Sequence, residues 1–193
     1  MLLTMEEFNF YRDNYLFEFE MKEKLEKSAS SSIAVLVILG SIVSLFINEI
    51  RSIEFNYIAI IFLFLLSMSG LFFLLSLYFI IRALYNHKYM YIPTSSQLKK
   101  YNEELLEYYS EEENPKEKAN KDLEEYIIGE YAANAHTNFQ NNGRKSAFIH
   151  LANTYIIVTI ILLLLSSIPY YINNFKKDVH KKIEVINPNE LKD

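Results

Sequence analysis

The chain has no cysteine and no tryptophan, and only four glycines and four prolines in 193 residues. Without cysteine there is no disulfide-stapled secreted domain, no cysteine-ligated zinc site and no cysteine nucleophile. So few turn formers argue against an all-β barrel. Gly40, Gly70, Gly129 and Gly143 stand too far apart for a phosphate-cradling loop. His87, His136, His150 and His180 show no metal-ligand spacing, and no GxSxG elbow occurs. No catalytic residue, metal or cofactor is therefore expected, and the chain reads as a non-enzyme. A net charge of −5 and a pI of about 5.5 argue against a dedicated duplex-DNA binder, although a local basic patch is compatible with both.

The chain is rich in long apolar runs. It is 51% hydrophobic and 22% charged, and the two classes are segregated. No Asp, Glu, Lys, Arg or His lies in 33–47, 57–81 or 155–172. Spanning hydrocarbon takes about 20 apolar residues, within a range of about 17–25. The expected fold is an all-α integral membrane protein with three transmembrane helices, at roughly 29–49, 57–81 and 152–172. The first run is the shortest, and reaches spanning length through the small residues 28–32; a buried or re-entrant hairpin is its alternative. The apolar runs within the spans hold no Asp, Glu, Lys, Arg or His, which removes the working groups of an intramembrane protease or a proton-coupled transporter. No cleavable signal is apparent, so the mature helices are expected to insert, with the bacterial inner membrane as the simplest home.

This divides the chain into an N-terminal amphipathic helix (1–28), transmembrane helices 1 and 2 (29–81), a cytoplasmic helical hairpin (82–150), transmembrane helix 3 (151–173) and a C-terminal tail (174–193). Thr4 and Glu7 form a capping box at the start. Phe8, Tyr11, Tyr15 and Phe19 make an aromatic stripe at helical spacing. Pro93 ends the element after the second span, and Thr94 with Gln97 makes a second capping box. Asn114-Pro115 breaks the hairpin, and a single long helix is expected from there into the third span. Basic residues near the span ends favour a cytoplasmic N-terminus and hairpin by seven to five. The four lysines 176, 177, 181 and 182 speak against that orientation.

One face of the long helix begins apolar, turns to Asn134, Asn138, Asn141 and Lys145, and continues through Thr159, Ser166 and the adjacent Ser167. Such a seam either meets solvent or fixes register in an oligomer around a water-filled vestibule. The first span carries Ser30, Ala34, Val37, Ser41, Ser44 and Asn48 at helical spacing, a pattern for close helix packing or for lining a pore. Glu49 and Glu54 follow in the short loop; repeated around an oligomer they would form a cation-selecting carboxylate ring. The candidate pore-lining set is thus Ser41, Ser44, Asn48, Glu49, Glu54, Thr159, Ser166 and Ser167. Lys99 and Lys100 with Arg144 and Lys145 are the candidate phosphate-binding cations, and Tyr101 and Tyr131 the aromatic rings available to stack on bases.

Three stretches support a resemblance: the amphipathic helix entering a short span, the start at Tyr91-Ile-Pro-Thr94, and Asn138 followed by Asn142-Gly-Arg144. On these the chain resembles small bacterial membrane effectors of anti-phage defence, the SMODS- and SLOG-associating two-transmembrane (SLATT-like) proteins, with the membrane effectors of Hailong systems as the nearest type. Three spans instead of two is its departure from the SLATT pattern. The resemblance implies a homo-oligomeric ion-conducting effector, with a tetramer as the expected number. It also implies a nucleotide or short single-stranded oligonucleotide ligand made by a partner nucleotidyltransferase, and action by disrupting the membrane potential. The alternative is a non-enzymatic membrane anchor or scaffold that recruits a protein partner through its hairpin. In either case the protein is expected to stay in the pellet when membranes are washed with carbonate or high salt; release into the supernatant would overturn the reading of the three runs as spans.

Overall fold

The computed structural model describes residues 5–50, 53, 55–85 and 87–186, with side chains to residue 174. Four helices make up its regular structure: α1 (Met5–Glu49), α2 (Tyr57–Leu84), α3 (Ser95–Tyr108) and α4 (Pro115–Ile186). No strand occurs among the described residues. Three helices, α1, α2 and α4, are long and apolar enough to cross a membrane. The fold is therefore all-α, and α1 and α4 each run unbroken from a charged stretch into an apolar one. The expected cap at Thr4, and Arg51 and Glu54 of the short loop, lie outside the described residues.

The chain divides into two compact units. One comprises residues 29–83 and 148–193, the other residues 1–28 and 84–147. The first unit holds the three apolar segments. Its core is a cluster of Leu36 and Leu39 from α1, Phe62, Leu66 and Ile80 from α2, and Ala152, Ile156 and Leu163 from α4. Phe46, Phe62 and Tyr170 meet pairwise at 5.5–5.8 Å between ring centres. Phe79 stacks on Tyr155 at 5.5 Å. Gly40 faces the Phe73 ring, where a Cβ would sit 3.4 Å from Cζ. That is ordinary van der Waals contact, so a methyl group here would pack on the ring without displacing it.

The polar groups of this unit are accounted for one by one. Ser69, Ser76, Thr159 and Ser166 are all fully buried. Their hydroxyls donate to carbonyls of their own helix, at Leu66, Phe73, Tyr155 and Leu163, over 2.7–2.8 Å. Hydrogen bonds from α1 and from the start of α2 reach α4 at well-separated positions. The Ser32 hydroxyl donates to the Asn153 amide oxygen at 2.7 Å. The Asn56 amide donates to Asn173 at 2.7 Å, while its own oxygen accepts from the Ile58 and Ala59 N–H groups and so caps α2. Much of the remaining surface is apolar: Val37, Leu45, Phe64, Leu74 and Leu164 are each more than half exposed. A surface of this composition is suited to hydrocarbon, not to water.

The second unit contains the first half of α1, the extended segment 87–94, α3 and the first part of α4. Thr94 and Gln97 form the capping box that starts α3, with the Thr94 hydroxyl accepting from the Gln97 N–H and the Gln97 side chain accepting from the Thr94 N–H. Asn114 takes φ = 63°, a left-handed conformation that asparagine tolerates better than most side chains. Pro115 then opens α4 at the position where its missing N–H costs nothing. Across the hairpin Tyr101 packs on Tyr126 at 4.7 Å, and the Tyr109 hydroxyl donates to Asp122.

Candidate functional site

The extended segment between α2 and α3 is the feature that four helices alone do not explain. Extended backbone with no neighbouring strand has unpaired N–H and C=O groups, and these need partners when covered. Here side chains of α4 supply them. The Asn138 amide is fully buried and pairs with Met90 twice: its Oδ1 accepts from the Met90 N–H at 2.8 Å and its Nδ2 donates to the Met90 carbonyl at 3.0 Å. Asn141 donates to the Lys88 carbonyl at 2.6 Å, and Asn134 to the Tyr91 carbonyl at 3.4 Å. From α1, the Tyr15 hydroxyl accepts from the Ile92 N–H at 3.3 Å.

The two chains are commensurate. Seven residues of helix, from Asn134 to Asn141, rise about 10.5 Å. Three residues of extended chain, from Lys88 to Tyr91, cover about 9.9 Å. One row of asparagines on a helix can therefore follow a strand without either bending. The asparagine seam thus meets neither solvent nor a water-filled vestibule in this unit. It is filled by the chain's own backbone.

Asn142 extends the row to α1. Its amide donates to the Glu18 carbonyl and to Glu18 Oε2, each at 2.8 Å, and its Oδ1 accepts from the Tyr89 hydroxyl at 2.7 Å. Two ammonium groups flank the Tyr89 ring: Lys22 at 4.8 Å and Lys145 at 5.8 Å from its centre. Lys22 also lies within 6 Å of the Phe19 and Tyr91 rings. Lys145 is buried and ion-paired with Glu26 at 3.1 Å. Such cation–ring contacts strengthen as water is removed.

The proposed ligand-binding residues fall into two groups. Lys99, Lys100 and Arg144 are exposed. Lys99 and Lys100 make one-turn ion pairs with Glu103 and Glu104 at 3.8 and 3.5 Å, weak contacts that leave the ammonium groups accessible. Lys145 is committed to Glu26 and Tyr89. Tyr101 packs on Tyr126, and Tyr131 touches Phe8 and Tyr15 at 5.8 and 5.4 Å. These three side chains are structural within a single chain.

The proposed pore residues also divide. Ser41, Ser44, Asn48 and Glu49 occupy the exposed side of α1. Ser41 donates to the Val37 carbonyl at 3.0 Å, and Glu49 accepts from the Tyr170 hydroxyl. Thr159 and Ser166 are buried inside the unit, away from that surface, and half-buried Ser167 donates to the Leu164 carbonyl at 2.7 Å. Glu54 lies outside the described residues. No group of three or more His, Cys, Asp or Glu side chains that could hold a metal occurs among the described residues. No family model, curated protein or solved structure matches the chain.

Two predictions follow from the clamp and its tyrosines. Asn138→Ala removes both backbone hydrogen bonds of Met90, at about 0.5–1.5 kcal/mol for each. The variant should melt earlier, and trypsin should cut after Lys88 faster than in the wild type; unchanged cleavage would show that Asn138 does not hold the segment. The second prediction concerns alkaline pH. Burial raises Tyr89 to about 12, helped by the carboxylates of Glu26 and Glu18. The hydrogen bond to Asp122 raises Tyr109 to about 12. Each phenol keeps its proton in the folded chain above the pH where an unfolded tyrosine loses it. The resulting stability is fully present below pH ~10 and is lost as pH rises through about 12. Tyrosinate absorbance of the native protein should show a late-titrating fraction, and Tyr109→Phe should remove part of it.

Proposed function

We propose that the protein is an oligomeric membrane effector whose copies enclose an ion-conducting path controlled by an anionic, nucleotide-type ligand. One observation carries this reading. At about 100° per residue, Ser30, Ala34, Val37, Ser41, Ser44 and Asn48 share one side of α1, opposite Leu36, Leu39 and Val43. All six are exposed in the single chain. The buried hydroxyls of the bundle have their own carbonyl partners, so this polar stripe is not required to complete the fold. Hydroxyl and amide groups are unfavourable in hydrocarbon, and small side chains favour close helix contact. A neighbouring copy, with water between, satisfies both. Glu49 ends the stripe and, repeated around the assembly, supplies a ring of carboxylates that favours cations.

The exposed Lys99, Lys100 and Arg144 supply positive charge on the other unit, where a phosphate-bearing ligand would be drawn in. The anti-phage role, the tetramer, the bacterial inner membrane and a nucleotidyltransferase partner rest on the resemblance to SLATT-like and Hailong-type effectors. Purified protein in liposomes should pass ions with a cation-selective reversal potential. Glu49→Gln should shift that potential toward zero. Lys99→Glu with Lys100→Glu should abolish salt-sensitive oligonucleotide binding. A single-chain mass in detergent together with electrically silent liposomes would overturn this reading and favour a scaffold that recruits a partner through α3 and α4.

A further inference from the structure

Glu18 is the anomaly of the unit that contains the extended segment. Only 8% of its surface is exposed, yet no cation pairs with it among the described residues. Lys22, one turn along α1, is directed to Tyr89 and Tyr91 instead. Lys145 is taken by Glu26. Oε2 accepts from Asn142, and Oε1, which is not sealed off from the surface, receives no hydrogen bond from any described residue. A carboxylate so largely covered, with one oxygen still reaching the surface, is placed to accept a cation there.

Glu18 is among the residues that line two adjoining grooves between α1 and α4, which also share Phe139. One, of about 240 Å³, runs past Tyr11, Ala135 and His136. The other, of about 200 Å³, is walled by Phe17, Met21, Leu25, Phe139 and Gly143. A Cβ added at Gly143 would meet nothing within 4 Å, so the glycine leaves this groove open. Phe17 and Phe139 are 51% and 61% exposed, although both are large apolar rings.

We propose that the second groove is a binding site for a small organic monocation with an aromatic body, of the arylalkylammonium class. The ammonium donates to the free Glu18 oxygen and supplies the missing counter-charge. The ring lies between Phe17, Met21 and Phe139, where aromatic and sulfur contacts favour it. The volume suits one ring with a short amine arm; a benzene molecule fills a cavity of about 150 Å³. A peptide would need a longer trough. This site is separate from the stripe on α1 and from Lys99 and Lys100, and its occupancy is read by binding, without reference to conduction.

The test uses the full chain in uncharged detergent, with 2-phenylethylammonium as the probe and calorimetry or ligand-observed NMR as the readout. Saturable binding is expected, and 2-phenylethanol, which keeps the ring but not the charge, should bind far more weakly. Glu18→Gln retains an acceptor for Asn142 and removes the charge; affinity should fall about 10–100-fold, the range for a hydrogen bond to a charged group. Gly143→Leu fills the groove on an exposed helix position that leucine suits, and should abolish binding. Ala135→Leu, in the other groove, should leave it unchanged. The proposal is overturned if the wild type shows no saturable binding, if the alcohol binds as tightly as the amine, or if Glu18→Gln binds like the wild type. Loss in Ala135→Leu with retention in Gly143→Leu would overturn the placement.

Discussion

The paired hydrogen bonds between the Asn138 side chain and the backbone of Met90 are the contact on which the rest of this unit depends. An amide side chain carries a carbonyl acceptor and an NH2 group with two donors, and one donor beside the acceptor reproduces the geometry of a peptide group. It therefore presents to the extended segment what a neighbouring strand would present. Once Met90 is fixed, Tyr89 falls between two ammonium groups and reaches Asn142, and Ile92 reaches Tyr15. The Thr94 cap then sets where α3 begins. Removing the amide would take away the only side chain that pairs with both backbone groups of one residue in this segment, among the described residues.

Much of this was legible in the sequence, and the illegible part has a definite cause. Apolar runs report spans because hydrocarbon forbids charge over a fixed thickness. The Thr94–Gln97 box and Asn114-Pro115 report helix ends because their chemistry is local. The row from Asn134 to Lys145 was also visible as a polar seam within an otherwise apolar face. What covers that seam was not visible. An asparagine amide serves water, a second copy or a backbone strand equally well, and the choice is made by a segment some fifty residues earlier. Asn142 and Glu18 were missed as a pair for the same reason. The i, i+4 repeat of Asn134, Asn138 and Asn142 was the available signal that Asn142 shares the covered side of the helix.

The apolar unit treats its polar groups in two ways. Ser69, Ser76, Thr159 and Ser166 donate within their own helices and make no demand on neighbours. Ser41 also donates within its own helix, to the Val37 carbonyl, but with Ser44 and Asn48 it stands outward, on a surface whose other members are Val37, Ile38 and Leu45. Identical residue types thus have different consequences according to the side of the bundle they occupy. Sequence periodicity detects the stripes but not which of them the chain consumes internally. Thr159 and Ser166 continue the asparagine face into the span, and so suggested a path; their burial assigns them to the packing of a single chain. The outward stripe on α1 is what the single chain leaves uncovered.

The ladder from Asn141 to Asn134 also has a mechanical character. Its bonds cross from the side of α4 to an extended chain that runs antiparallel to the helix, and that chain is the direct continuation of α2. Tension drawn along the extended segment would load these bonds side by side, in shear, instead of peeling them off one at a time. A joint of that kind is stiff under axial pull and gives way all at once, so the segment behaves as a tie rod and not as a tether.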